Sequence, residues 1–147
     1  MSAAAARVLI MKKALLIVAA AVAGLFAPGV AHAETPPGCA SAYQLGPTAY
    51  VKMGGQTAAS VKQFAGCGKN WSYVFVWADW AAKHDLFHVT TAVETTSDGK
   101  DHGKVFGRLD QREVWSSPTN TTGRCTRALG VVSLGEDGWS AYTNRDC

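Results

Sequence analysis

Histidine is the first residue type in this chain that could bind a metal ion. His84 and His88 are four positions apart, and on a helix that spacing would place both rings on one face, about 6 Å apart. In an extended chain the same spacing covers about 13 Å, which is too far for one shared ion. The flanking Phe87 and Val89 favour an extended chain, and His102 lies in a predicted turn about 25 Å from His88. We therefore predict no metal site and interpret these histidines as exposed to solvent.

A general acid–base set would need a different group of side chains. His88, Glu94 and Arg108 are residue types that small secreted ribonucleases combine. A predicted hairpin between Glu94 and Arg108 places Glu94 and His88 opposite different residues of the returning strand, so the three side chains need not converge. Asp98 and Asp101 lie in the same turn but miss the alternating ligand spacing of an EF-hand. We therefore predict no catalytic residue and no cofactor, and a small secreted hydrolase is our third hypothesis for the function.

The polar loop Ser116–Arg124 suggests inhibition of an enzyme. The loop ends directly before Cys125, so a disulfide would brace it, and Arg124 would lie beside that disulfide. A protease inhibitor often presents an extended, polar and disulfide-braced loop of this kind. A secreted inhibitor of a protease or another enzyme is therefore the alternative to the function that we favour.

Four cysteines constrain both the compartment and the fold. Cys39, Cys67, Cys125 and Cys147 contain no C-x-x-C pair, which favours two disulfides in an oxidising compartment over a zinc site. Residues opposed in a hairpin have numbers with a constant sum. A turn over Gly135–Gly138 gives a sum of about 273, and the numbers of Cys125 and Cys147 give 272. We therefore predict a Cys125–Cys147 disulfide. The remaining pair is Cys39–Cys67.

Residues 1–33 have the pattern of an export signal. Lys12 and Lys13 form a basic start, Ala14–Ala27 is apolar, and Ala31–Ala33 matches the small-x-small site of a signal peptidase. The apolar run is shorter than the roughly 20 residues that span a bilayer. We therefore expect a cleaved signal peptide and a secreted protein without membrane attachment after cleavage.

The predicted mature chain, residues 34–147, is electrically neutral. Without Arg7, Lys12 and Lys13, the 14 basic residues fall to 11, which equals the 11 acidic residues. The net charge of +3 therefore belongs to the signal peptide, and the mature chain has no electrostatic reason to bind nucleic acid or an anionic membrane. Its length suits one domain with one hydrophobic core.

The stretch Trp71–Trp80 predicts a central strand. Rings alternate with small or β-branched residues, so neither face is strongly polar. The rings on one face are those of Trp71, Tyr73, Phe75 and Trp77. We expect these rings to dominate the core. The opposite face, with Val74, Val76 and Trp80, is either covered by another part of the chain or exposed as a patch for a partner or for self-association.

Further segments of the chain, which lie between glycine-rich turns, also alternate between apolar and polar residues. Gly54-Gly55 and Gly135–Gly138 are typical of hairpin turns, and Leu86–Thr95 has one apolar and one mostly polar face. About six to eight short strands of this kind predict an all-β fold, namely a small antiparallel β-sandwich or barrel with two disulfides.

The order of features along the chain also matches a known pattern. Cys39 is followed by the aromatic Tyr43, a turn with a cysteine precedes the central strand, a Cys-Thr-x-x-x-Gly segment begins at Cys125, and Tyr142 comes shortly before Cys147. In this order the chain resembles the secreted spore-associated protein family of actinobacteria, over nearly all of the predicted mature chain. The resemblance implies a location at or near the cell or spore surface, and it carries over no catalytic residue.

We therefore expect a secreted, non-catalytic protein that acts by binding or self-association at or near the surface of a cell or spore. Its partner is a cell-surface component or a protein that the sequence does not identify. The candidate residues for the interaction surface are Val74, Val76, Trp80 and Arg124.

The exported form should begin at Glu34, because Ala31 and Ala33 satisfy the signal peptidase. The intact mass of the protein recovered from the culture fluid measures this directly. A mass that includes the apolar segment Ala14–Ala27 would contradict the expectation.

Overall fold

Two antiparallel sheets make up the part of the protein that the computed structural model describes, residues 34–147. Within these residues the elements are β1 (Ala42–Met53), β2 (Gln56–Gly66), β3 (Lys69–Val76), α1 (Ala78–Ala81), β4 (Phe87–Thr95), β5 (Lys100–Phe106), β6 (Glu113–Trp115), β7 (Thr126–Leu134) and β8 (Asp137–Tyr142). The strand order is β1-β2-β3-β6 in the first sheet and β5-β4-β7-β8 in the second. The sheets pack face to face, with β1 over β8, β2 over β7 and β3 over β4. The predicted antiparallel β-sandwich is confirmed.

The predicted signal peptide, residues 1–33, lies outside the described residues. From Glu34 onwards, no helix is long and apolar enough to cross a membrane.

The inner face of β3 contributes to the core between the sheets. Val74, Val76 and Trp80 are buried and pack with residues of the second sheet such as Val89 and Val132. The hypothesis that Val74, Val76 and Trp80 form an exposed interaction surface is therefore wrong, because the second sheet covers them. The other possibility, that the chain itself covers this face, is the one found.

The central strand is shorter than predicted. β3 ends at Val76, and α1 forms a single helical turn that places the Trp80 ring in the core. Alanine has the highest helix propensity, and Asp79 in the first turn interacts favourably with the helix dipole. These local preferences end the strand where alternation alone predicted that it would continue.

The odd-numbered rings of β3 lie on the outer face of the first sheet and not in the core between the sheets. Trp71 and Tyr73 are buried there in a second cluster with Phe64 and Cys39. The expectation that these rings form the main core is therefore wrong. The outer face of a sandwich is usually polar, so something must cover these rings.

Both predicted disulfides are present. Cys39–Cys67 joins the segment before β1 to the turn between β2 and β3, and Cys125–Cys147 joins the residue before β7 to the last residue of the chain. Each bond therefore fastens one terminal segment of the described chain to the sandwich.

One end of the sandwich interior is polar. Gln63 Nε2 donates to Thr126 Oγ1 at 2.6 Å, and Asn70 Nδ2 donates to the same oxygen at 3.3 Å. Thr143 Oγ1 donates in turn to Gln63 Oε1 at 3.5 Å. Across residues 34–147, no buried side-chain nitrogen or oxygen lacks a hydrogen-bond partner. The polar end is therefore a satisfied network, which is the condition under which buried polar groups are tolerated.

The two sheets approach each other closely at Gly130 of β7. A Cβ atom at this position would overlap Val61 Cγ2 and lie 2.8 Å from Val74 Cγ2. Glycine is therefore required here by packing against the first sheet.

Exchanging Gly130 for alanine should lower the free energy of unfolding by about 1–3 kcal/mol, because the added methyl group overfills the core. The matched control is Gly138→Ala on β8, where the nearest atom to a new Cβ, Val131 Cγ1, is 3.8 Å away. The control should change stability by less than about 0.5 kcal/mol. Chemical denaturation measures both values, and equal effects of the two substitutions would contradict the close approach.

Candidate functional site

The three described histidines lie in three separate environments. The His84 ring stacks on Trp80 at 4.2 Å between centroids, and its Nδ1 is 2.9 Å from the Trp80 carbonyl oxygen. His88 is exposed on β4, and His102 Nε2 is 3.0 Å from Thr95 Oγ1. The interpretation as exposed histidines is right for His88 and wrong for His84 and His102, which are half-buried by these contacts. Between residues 34 and 147, no three potential ligands are grouped to hold a metal ion.

The residues of the acid–base hypothesis do not converge. Glu94 is buried and accepts a hydrogen bond from Arg127 Nε at 2.8 Å. His88 lies six residues away on the same strand, about 20 Å along it. Arg108 is exposed in the segment after β5, where its backbone N–H donates to Gln111 Oε1. These positions bring no base and acid together.

The acidic residues of the β4–β5 turn are also engaged by neighbours. Asp98 Oδ1 accepts hydrogen bonds from Thr95 Oγ1 and from the backbone N–H of Lys100, and Arg124 approaches Asp98 Oδ2 at 3.4 Å. The Thr95 hydrogen bond, followed by those of Lys100 and Arg124, holds the pKa of Asp98 below its usual range. Asp101 pairs with Lys104 at 2.7 Å. The turn is therefore stabilised by its own side chains.

The loop Ser116–Arg124 lies against the start of β3. Asn70 and Thr119 exchange both backbone hydrogen bonds, and the Thr119 and Thr121 side chains are buried. The tip is a tight turn, because the Arg124 N–H donates to the Thr121 carbonyl oxygen at 3.1 Å. This loop lacks the extended, protruding backbone that the inhibitor hypothesis assumes, so the geometry gives that alternative no support. Arg124 is exposed, as an interaction residue must be, but it is held by Asp98.

The described clefts are small. One of about 200 Å³ follows α1 around His84, and another of about 150 Å³ lies between Tyr43, Asn70 and Arg124. Sites for small molecules usually have about 300–1,000 Å³. A surface is therefore a better candidate for function than either cleft.

The segment Glu34–Cys39, which we call the strap, lies against the outer face of the first sheet. Cys39 is bonded to Cys67, and the Glu34 carboxylate pairs with Lys62 Nζ at 2.6 Å. Lys62 is the cross-strand partner of Tyr73, so the first residue of the strap, Glu34, lies near Tyr73. The strap thus covers the buried rings of the outer cluster.

Rings within the outer cluster contact one another directly. Tyr73 and Trp115 lie 4.4 Å apart between centroids, and Phe64 lies 5.2 Å from Trp115. Phe64 and Tyr73 meet edge to face at 6.4 Å. Offset and edge-to-face arrangements of this kind are the favourable ones for aromatic pairs.

Three further rings on this face remain accessible to solvent, and we call them the aromatic strip: Tyr50, Phe75 and Trp77. Tyr50 and Phe75 are the cross-strand partners of Ser60 on either side. Trp77 Nε1 donates to Ser60 Oγ at 2.9 Å, which places the indole N–H at the β2 residue that lies between Tyr50 and Phe75. Tyr50 is 48% exposed, Trp77 is 44% exposed, and Phe75 is half-buried.

Charged groups surround the aromatic strip. The Arg112 guanidinium lies 5.1 Å from the centroid of the Phe75 ring, and its Nε donates to the Val76 carbonyl oxygen at 3.0 Å. Lys52 and Glu113 are exposed on the neighbouring strands. The strip therefore presents partly exposed rings next to a group that can form hydrogen bonds.

Sequence reasoning did not identify the aromatic strip. Phe75 and Trp77 were assigned to the core, and Tyr50 and Arg112 were given no role. Their juxtaposition depends on the register of β1, β2 and β3, which alternation within one strand does not give. The one usable signal was that the stretch Trp71–Trp77 had apolar residues on both faces, because one of those faces had to lie outside the sandwich.

Comparison of the chain with protein-family models, with curated proteins and with solved structures finds no match. The resemblance to the spore-associated family therefore stays a prediction.

Tyr73 should remain protonated in the folded protein at alkaline pH. Burial, followed by the negative charges of Glu113 and Glu34, raises its pKa above the ordinary value. An unfolded tyrosine ionises near pH 10, so the unfolded state loses a proton that the folded state keeps, and stability falls as the pH rises above about 10. Replacing Tyr73 by phenylalanine should weaken this fall and leave the tyrosinate absorbance of the folded protein unchanged up to about pH 11. A lower tyrosinate absorbance of the folded variant below that pH would contradict the assignment.

Proposed function

We propose that the protein is an exported, non-catalytic binding domain that attaches to the surface of a cell or spore through the aromatic strip. The observation that carries this proposal is the exposure of the Tyr50 and Trp77 rings on the same sheet face, where both residues neighbour Ser60. Keeping apolar ring surface in contact with water costs about 25 cal/mol per Å², so a cluster of exposed rings is unfavourable unless binding covers it.

The types of residue in the strip support binding. Trp, Tyr and Arg are the residues that most often supply the energy of an interface. Two side chains of this region are also held in place before any ligand arrives, since Ser60 Oγ accepts a hydrogen bond from Trp77 and the Val76 carbonyl oxygen accepts one from Arg112. Preorganised side chains lose less conformational entropy on binding.

Two observations support export. The first 33 residues match a signal peptide, and both disulfides require an oxidising compartment to form and persist. The aromatic strip thus replaces Val74, Val76 and Trp80 as the interaction surface, while the location at the surface is kept.

Removing the rings should release the protein from the cell or spore surface. We expect the double substitution Tyr50→Ala with Trp77→Ala to shift the protein from the wall and spore fractions to the culture fluid. The matched control is Phe106→Ala on β5, which removes a ring that is 75% exposed on the other sheet and should leave the distribution unchanged.

Quantitative immunoblots of the fractions measure this distribution, and thermal unfolding followed by circular dichroism shows that the variants fold. Unchanged retention of a folded double variant would contradict the proposed function. If Trp77 is replaced by phenylalanine, which keeps a ring, and not by alanine, part of the retention should be restored.

A further inference from the structure

We infer that the Cys39–Cys67 disulfide is a redox-sensitive lock on the strap, and that its reduction by a dithiol uncovers the rings of Trp71 and Tyr73. The uncovered rings would enlarge the aromatic surface of this sheet face, and in that consequence for binding the inference rests on the proposed function. Three features carry it: the exposure of Cys67, the different surroundings of the two disulfides, and the position of the rings beneath the strap.

Cys67 is the residue of this disulfide that a reductant can approach. It is exposed in the two-residue turn between β2 and β3, whereas Cys39 is buried. A thiolate of the reductant therefore attacks the Cys67 sulfur, forms a mixed disulfide with it and expels the Cys39 sulfur as a thiolate, which takes up a proton. The second thiol of the dithiol then attacks the reductant's sulfur in this mixed disulfide. The reductant leaves as a cyclic disulfide, and both cysteines are left as thiols.

The other disulfide, Cys125–Cys147, is held closed by contacts on both sides. Thr126 and Asp146 exchange both backbone hydrogen bonds, at 2.7 and 2.8 Å, and each of them directly adjoins one of the two cysteines. Two thiols that are held side by side have a high effective concentration towards each other. A disulfide between them therefore re-forms readily after reduction, and a higher concentration of reductant is needed to keep it open.

Backbone pairing ends three residues away from Cys39. The last pair of the β1–β2 ladder is Ala42 with Gly66, which adjoins Cys67 but leaves Cys39 outside the ladder. The strap itself forms no strand or bridge, and the Cys39 N–H donates within the strap, to the Pro36 carbonyl oxygen at 3.1 Å. Once the bond is reduced, the Cys39 thiol can therefore move away from Cys67, which favours the open form.

The ion pair at the other end of the strap is in contact with water. The Glu34 and Lys62 side chains are 26% and 21% exposed, and ion pairs that water reaches contribute little to stability. Release of the six residues of the strap also gains conformational entropy. Pro36 is buried and opposes release, so we expect the disulfide to decide between the covered and the open state.

The rings under the strap continue the row of outward-facing residues on β3. Trp71 and Tyr73 are buried, and the next outward position is that of Phe75. These positions are two residues apart, which is about 7 Å along the strand. Release of the strap would therefore join the covered rings to the accessible part of this face. Within the described chain, the core between the sheets contains no residue of the strap, so we expect the sandwich to keep its fold.

A titration of the protein, with both disulfides formed, against dithiothreitol tests the lock. Thiols are trapped with iodoacetamide at each concentration, and mass spectrometry identifies the labelled cysteines. We expect Cys39 and Cys67 to be labelled at a reductant concentration about tenfold lower than that needed for Cys125 and Cys147. Binding of a fluorescent anilinonaphthalene sulfonate dye should rise in the first step, while the far-ultraviolet circular dichroism stays constant. Opening of Cys125–Cys147 first, simultaneous opening of both bonds, or a first step without added dye binding would overturn the inference.

Substitution of the cysteines gives the same state without a reductant. The variant with Cys39→Ser and Cys67→Ser should bind the dye and keep its circular dichroism, whereas the matched control with Cys125→Ser and Cys147→Ser should bind no more dye than the unmodified protein. Equal dye binding by a folded first variant and the unmodified protein would overturn the inference. If the first variant does not fold, the titration decides, because it requires no substitution.

Retention on whole cells or spores separates this inference from the proposed function. Protein that has been opened at Cys39–Cys67 and trapped with iodoacetamide is compared with protein that received iodoacetamide alone. We expect the opened form to be retained several-fold more strongly. Equal or weaker retention that still depends on Tyr50 and Trp77 overturns the regulatory role of the strap and leaves the binding function in place. Retention that is independent of both rings overturns the proposed function itself.

Discussion

Strand β3 must be protected from water on both faces, and the remainder of the structure depends on that requirement. Its inner residues, such as Val74 and Val76, are covered by the second sheet, which approaches closely only because β7 has glycine at position 130. Its outer rings, Trp71 and Tyr73, have no second sheet to cover them. The strap takes that role, so a segment of irregular backbone completes a third layer of the fold.

The disulfides make this solution possible in a small domain. The strap has no strand of its own, and the Cys39–Cys67 bond and the Glu34–Lys62 ion pair are among the contacts that hold it on the sheet. On the chain-entropy model, a loop closed over 28 residues stabilises the fold by roughly 3.5 kcal/mol. At the polar end, Cys125–Cys147 has the corresponding effect for the last residues, which lie over the buried network around Gln63 and Thr126. A network with every group satisfied favours one arrangement of the two sheets, because a shift of register would leave Gln63 without partners.

The sequence was sufficient for the fold class and for the Cys125–Cys147 disulfide because both follow from local geometry, and Cys39–Cys67 then followed by elimination. Alternation over β4 and the glycine turns report local geometry, and the pairing of Cys125 with Cys147 follows from the turn between β7 and β8. The sequence was not sufficient to predict which face of β3 points inward, because valine and aromatic side chains both pack well in a hydrophobic core. The aromatic strip was still harder to predict from the sequence, because Tyr50 and Phe75 are 25 residues apart and are brought near each other only by the register of β1, β2 and β3. A bulge between Val51 and Lys52, which alternation does not predict, also sets which side chains of β1 accompany Tyr50.

The length of the strap connects export with the exposed strip. Glu34 contacts Lys62, which is opposite Tyr73, while Tyr50 and Phe75 lie in the next row of outward-facing residues, the row of Ser60. With the predicted cleavage after Ala33, the mature chain would therefore begin one row short of the aromatic strip. Each additional residue of extended chain could reach about 3.3 Å further, so two or three residues more would be enough to extend the strap over Phe75. If cleavage follows Ala33, as the sequence predicts, the mature chain would begin beside the buried ring of Tyr73 and short of the accessible ring of Tyr50. On the proposed function the same outer face has two uses: the rings under the strap stabilise the fold, and the exposed rings of Tyr50 and Trp77 are available for binding.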